Sequence, residues 1–260
     1  VLVMIQSSYS QKSYECKEFK KHDPELSIKT NSKEMLYNKS SGILYRFTNN
    51  DSILAIDLAI NDEITQRKIM MFGAEIWIDM LGKKKKKRGV MYPLGMKEFE
   101  GMRPDEGIER EPREKGAKDQ FNESKRMMAN RMKDIEIIGI YDELNGILNS
   151  WYEESVFASI EFDELGIMYY RVEIPFSRLN LDYELLKYTE ISIGFESGYL
   201  DISNMQGRSG SGMRPGGGQG PPNGMRQGGS SQGGMKDERM QMMQKMTEQE
   251  KFWIKNVRLF

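Results

Sequence analysis

Three groups of residues in this chain have the types to do chemistry together. Trp151-Tyr152-Glu153-Glu154 sets two flat aromatic rings beside two carboxylates. A sugar needs that combination, with ring faces for its C–H surface and carboxylates for its hydroxyls. Trp77, in the middle of another run, offers a further indole. Lys83–Arg88 is six basic residues in a row, suited to an anionic glycan, a lipopolysaccharide or an acidic protein surface. The third group is thioethers. Met205, Met213, Met225 and Met235 lead to Met240, Met242, Met243 and Met246, and such soft ligands suit Cu(I) or Ag(I). Each group also has a plainer reading. Trp151 packs under a loop edge, and Trp77 and Trp253 sit mid-strand where core packing is usual. The basic run is a solvated hairpin loop of mutually repelling charges. The methionines form an adaptable apolar helix face.

Catalysis has little to draw on. His22 is the only histidine and Cys16 the only cysteine, so a His-based triad or a zinc site lacks partners, and no intrachain disulfide forms. Asp142/Glu143 and Glu153/Glu154 are neighbours in sequence, which does not place two carboxyls about 5–9 Å apart across a cleft. The expectation is a non-enzymatic protein with no cofactor and no metal centre. The formal net charge of −1 gives no overall field toward nucleic acid or membrane, and Lys83–Arg88 has no aromatic interleaving of the nucleic-acid kind. No apolar run approaches the ~20 residues that span a bilayer.

The elements that must position these residues are mostly strands. In Ile43–Thr48, Tyr45 and Phe47 share a face, and Asn49-Asn50-Asp51 supplies turn chemistry. Ile53–Ile60 is apolar nearly throughout, as a strand covered on both faces would be. Asn61 or Asp62 caps a helix that carries Ile64, Lys68 and Met71 and stops at Gly73. Ala74–Asp79 is a strand with Ile76 and Ile78 on one face and Trp77 on the other. Gly89–Pro93 is a short strand stopped by proline. A helix over 118–133, a strand over Ile135–Tyr141 and a returning segment at Gly146–Asn149 follow. Val156–Phe162 and Ile167–Ile174 form a hairpin closed by Asp163-Glu164-Leu165-Gly166. Glu190–Glu196 alternates as a strand.

Composition then shifts. Residues 197–234 are rich in Gly, Ser, Gln and Pro and cannot bury enough apolar surface to order themselves. A helix over 235–251 leads to the alternating run Phe252–Phe260. A strand after such a segment implies that the chain returns to the sheet, so residues 197–250 form a flexible Gly/Met-rich insertion before the last strand. Val1–Ser10 reads as the remnant of a secretory signal peptide with Gln11 as the mature start, which places the protein in the periplasm or outside the cell. Residues 11–260 then form one domain. Eight to ten short strands and few helices predict a mostly β protein, an antiparallel two-sheet sandwich of jelly-roll type.

The run LYRFTNNDSILAIDLAINDE, then AEIWID, the basic run and MYP, resembles exported Bacteroidetes proteins whose β-sandwich is similar to the family 9 carbohydrate-binding module and the DOMON superfamily. Tyr170–Pro175 is similar to the YE-x-x-IP strand of those modules, with Arg171 where Glu is common. Phe252–Lys255 fits their late Phe-Trp-x-Lys strand. The resemblance spans residues 42–260 and implies a binding module. The two Trp rings that hold a sugar in family 9 modules correspond to Trp77 and Trp151 by residue type. The haem known in some DOMON proteins needs an axial ligand, and His22 sits in a polar loop. The sequence therefore leads to a non-catalytic exported glycan binder, with Trp151, Tyr152, Glu153 and Trp77 as its contacts. The alternative is an envelope protein that meets partners through Lys83–Arg88 and the insertion. Soft-metal binding by the methionines is a third reading.

Overall fold

The computed structural model describes residues 14–18, 34–95, 117–140, 146–149, 156–179, 188–202 and 233–259. The expected leader, His22, Trp151–Glu154 and the middle of the Gly/Met-rich insertion lie outside the described residues.

Two sheets pack face to face. The seven-stranded sheet runs β1 (Tyr14–Glu15), β13 (Lys251–Arg258), β12 (Glu190–Ser197), β6 (Gly73–Asp79), β7 (Arg88–Leu94), β8 (Asp134–Ile138) and β9 (Gly146–Asn149). The six-stranded sheet runs β10 (Phe157–Phe162), β11 (Met168–Pro175), β5 (Ile53–Ile60), β4 (Ile43–Asn49) and β2 (Lys17–Glu18), with β3 (Leu36–Asn38) also on β4. Pairing is antiparallel except at β1 on β13 and β2 on β4, which are parallel. Those two short strands belong to one segment that passes from one sheet to the other, with Cys16 buried between them. Burial pushes the Cys16 thiol up to about 12, so it stays protonated at neutral pH.

The period of two in the strands sets the core. Phe47, Ile56 and Leu58 from one sheet meet Ile76, Ile78, Ile193 and Phe195 from the other in one buried cluster. Burial of such side chains drives the two sheets together at about 25 cal/mol per Å² removed from water. Tyr170 is fully buried, and its hydroxyl donates to the carbonyl of Tyr92 across the sandwich at 2.8 Å. In β5 the outward residues Ala55, Asp57 and Ala59 are buried as well, which is why that run lacks polar alternation.

Local signals set the boundaries. Asn50 Oδ1 accepts from the amides of Ser52 and Ile53 in the β4–β5 turn. Asp62 caps α1 (Glu63–Phe72) by accepting from the Thr65 amide at 2.7 Å. Gly73 closes that helix at φ 83°, and a Cβ there would stand 2.6 Å from the Pro93 carbonyl oxygen. β7 does not stop at Pro93 as the sequence suggests but continues to Leu94. Its pairing with β6 shifts between Gly73 and Glu75, so the missing proline N–H falls at an irregular rung. α2 (Ala117–Arg131) packs on β10, and α3 (Gly233–Thr247) packs on α1. β13 pairs with β12 after α3, so the chain does return to the sandwich.

Candidate functional site

The outward face of the seven-stranded sheet carries aromatic rings on a single rung. Trp253 of β13 stands opposite Gly194 of β12, Gly194 opposite Trp77 of β6, and Trp77 opposite Gly89 of β7. Large and smallest residues thus alternate across four strands. Each glycine makes room for an indole. A Cβ on Gly194 would lie 2.6 Å from Trp253 Cε2 and 2.8 Å from both Cδ2 and Cζ2. Cε2 is a ring-fusion carbon, so it can be approached that closely only through the ring face. Trp253 therefore lies flat on the Gly194 backbone. A Cβ on Gly89 would meet Trp77 Cε3 at 2.7 Å, so the second indole leans the same way along the sheet, over β7.

Carboxylates flank this rung. One step along the face, Glu75 of β6 stands opposite Glu196 of β12, and Glu196 stands opposite Lys251 of β13. Trp77 Nε1 donates to Glu75 Oε2 at 2.9 Å, which fixes the plane of the indole. Glu196 is buried, and its Oε2 pairs with the Lys86 ammonium. The same ammonium sits 5.8 Å from the centre of the Trp77 ring, in range of the attraction between a cation and a π face.

Lys86 reaches this position because the β6–β7 loop is held in shape. Asp79 Oδ1 accepts from the Leu81 amide and Oδ2 from the Lys85 amide, at 3.0 and 2.9 Å. Burial pushes the Asp79 carboxyl up, but backbone hydrogen bonds from Lys85, Leu81 and Lys83 outweigh it and hold the group below the usual carboxylate range. Lys83, Lys84, Lys85 and Lys87 face solvent. Lys83–Lys87 form the solvated loop that the charge implies, with Lys86 folded back toward Trp77, and Arg88 opens β7.

Of the site residues expected from the sequence, Trp77 falls within this array, only 7% exposed beneath Lys86. Trp151, Tyr152 and Glu153 lie outside the described residues. Trp253, read from the sequence as a core residue, points outward and keeps part of its surface open. The signal that could have found it is Gly194, a lone glycine inside the alternating strand Glu190–Ser197, which marks a close approach by another group. The methionines of α3 are dispersed. Met246 is buried, Met242 Sδ lies 4.0 Å from Arg67 Nη1, and Met240 and Met243 are exposed. Among the described residues, no three His, Cys, Asp or Glu side chains are grouped to hold a metal ion. No helix among them is long and apolar enough to cross a membrane. A separate cleft of about 680 Å³ lies between α2 and the β10–β11 turn, lined by Arg126, Asn130, Phe162 and Leu165 among others. Its lining holds three carboxylates, Glu161, Asp163 and Glu164, but a single ring, Phe162.

The fold defines a two-sheet β-sandwich, with a tryptophan–glycine rung on one outer face. Compared with protein-family models, with curated proteins and with solved structures, the chain matches none.

Proposed function

We propose that this chain is a non-catalytic binding module whose ligand is a carbohydrate, held on the outward face of the seven-stranded sheet. The observation that carries the reading is the Trp253 indole laid flat on Gly194. It is pre-positioned, partly open and next to carboxylates. A ring held by the backbone loses little entropy when a sugar stacks on it. Glu75 and Glu196 supply acceptors for hydroxyls. The resemblance to family 9 modules points to the same ligand class, and export through the Val1–Ser10 segment would bring the protein to polysaccharides.

The test is retention of the whole chain in gels containing a panel of soluble polysaccharides, comparing Trp253→Ala with Trp151→Ala. Loss of binding only in Trp253→Ala supports the outer-face site. Loss only in Trp151→Ala keeps the module reading and moves the site to Trp151 and its sequence neighbours. No binding by the unmodified chain to any polysaccharide overturns the reading. The exposure of Lys83, Lys84, Lys85 and Lys87 favours a second reading, a contact with an anionic envelope surface. Such a contact weakens as salt screens it, whereas stacking on Trp253 survives salt.

A further inference from the structure

The ammonium of Lys86 occupies the most defined spot on this face. Below it is the Trp77 indole, with its ring centre 5.8 Å away. Beside it is the Glu196 carboxylate, whose side chain is 4% exposed while that of Lys86 is 47% exposed. The two partners are therefore unequal. Glu196 is fixed within the sheet and cannot swing into water, so it needs a positive charge near it. Lys86 hangs from a loop and is half solvated, so it leaves at little cost. Glu75, directly opposite Glu196, adds a second negative charge. Lys251, the other neighbour of Glu196 by register, is exposed. An indole face next to a buried carboxylate is a receptor for a compact cation, here filled from the same chain.

We propose that this receptor takes a protonated primary amine on the glycan ligand, so that the site selects amino sugars with a free amine and Lys86 acts as a built-in competitor. This rests on the carbohydrate reading given above. In the bound state the sugar ring stacks on Trp253, and its ammonium replaces that of Lys86 between Trp77 and Glu196. The charge on Glu196 stays compensated throughout. A neutral or N-acetylated sugar that displaced Lys86 would leave Glu196 buried and unpaired, which is the basis for rejecting it. Lys86 has only to rotate away on its loop, and Asp79 keeps the loop backbone in place through Leu81 and Lys85.

The experiment is calorimetric titration of the full chain with β-1,4-linked oligomers of glucosamine, of N-acetylglucosamine and of glucose. The glucosamine oligomer should bind, and the other two should bind far more weakly or not at all. Lys86→Ala should tighten glucosamine binding several-fold, because the competitor is gone. Glu196→Gln should abolish the preference for the free amine. If that variant fails to fold, the Lys86→Ala titration decides alone, since Lys86 is a half-exposed loop residue outside the strands. Equal binding of all three oligomers, lost in Trp253→Ala, overturns the amine selectivity and leaves the carbohydrate reading standing. Binding of none of them, with binding of another polysaccharide in gels, likewise overturns only the amine selectivity. Weaker glucosamine binding in Lys86→Ala overturns the competitor role.

Discussion

The two outer faces of the sandwich solve the same problem in opposite ways. On the six-stranded sheet, one rung crosses Arg46 of β4, Asp57 of β5 and Arg171 of β11. Arg46 donates to Asp57 Oδ2 from Nε and Nη2 at 3.1 and 2.8 Å, and Arg171 Nε lies 2.7 Å from Glu173 Oε1 and 3.7 Å from Asp57 Oδ1. Arg46, Asp57 and Arg171 are all buried. Charges on that face are compensated by fixed strand residues and have no freedom to serve a ligand. On the seven-stranded sheet the corresponding rung is Trp253, Gly194, Trp77 and Gly89, and the buried carboxylate beside it is compensated by a residue on a loop. The first arrangement specifies structure. The second leaves a charge whose partner can be exchanged.

Mutations should separate the two faces by size of effect. The largest is expected at Asp57→Ala, which removes the carboxylate bonded to Arg46 and the counter-charge 3.7 Å from Arg171, and should cost about 3–5 kcal/mol in urea denaturation. A loss below about 1 kcal/mol would remove the contrast between a fixed and an exchangeable face. Next is Gly194→Ala. Its methyl group would displace the Trp253 indole, costing about 1–3 kcal/mol, shifting tryptophan fluorescence and weakening glycan binding. An unchanged emission spectrum would show that the indole does not rest on that glycine.

A smaller, local effect is expected from pH. The Asp79 carboxyl is held below its unfolded value, so its contribution is complete above the normal carboxylate range and is lost as pH falls through the lowered value. Protection of the Leu81 and Lys85 amides against hydrogen exchange, taken relative to the intrinsic rate at each pH, should therefore fall on acidification before the strands open. Asp79→Asn should remove that pH dependence. The smallest effect on stability is expected from Lys86→Ala, which leaves the buried Glu196 carboxylate without its cation and should lower the thermal midpoint by less than Gly194→Ala does, with a glucosamine oligomer restoring it. A fall that the oligomer does not reverse would make Lys86 a structural residue and erase the difference between the faces.

Much of the scaffold was legible because it depends on neighbours in sequence. Asp62 and Gly73 bound α1 through contacts within a few residues. The run Ile53–Ile60, apolar except for Asp57, announced burial on both faces. The tryptophan rung was not legible, because Trp77, Gly194 and Trp253 meet only through strand order, across separations that no local period encodes. A bulge in β13 adds to this. Its pairing with β12 shifts between Ile191 and Ile193, and Asn256 takes φ 53°, so alternation along Phe252–Phe260 does not give one consistent inner face. Lys86 was hidden for a different reason. Six adjacent basic residues look alike, and only the turn set by Asp79 singles out the one that folds back. The parallel pairing of β1 and β2 was equally hidden, since neither strand forms a hairpin with its partner.

The position of β13 also orders events during synthesis. β1 is attached to the seven-stranded sheet only through β13, by parallel pairing and by the Cys16 amide bonded to the Arg258 carbonyl. A ribosome has made all the other described strands of the two sheets before β13 emerges. Until then the β12 edge is unpaired, and the segment carrying β1 has nowhere to dock on that sheet. Closure of the sandwich is thus deferred until residue 258 has left the exit tunnel. Nascent chains arrested shortly before that point should be the ones that chaperones retain and proteases cut.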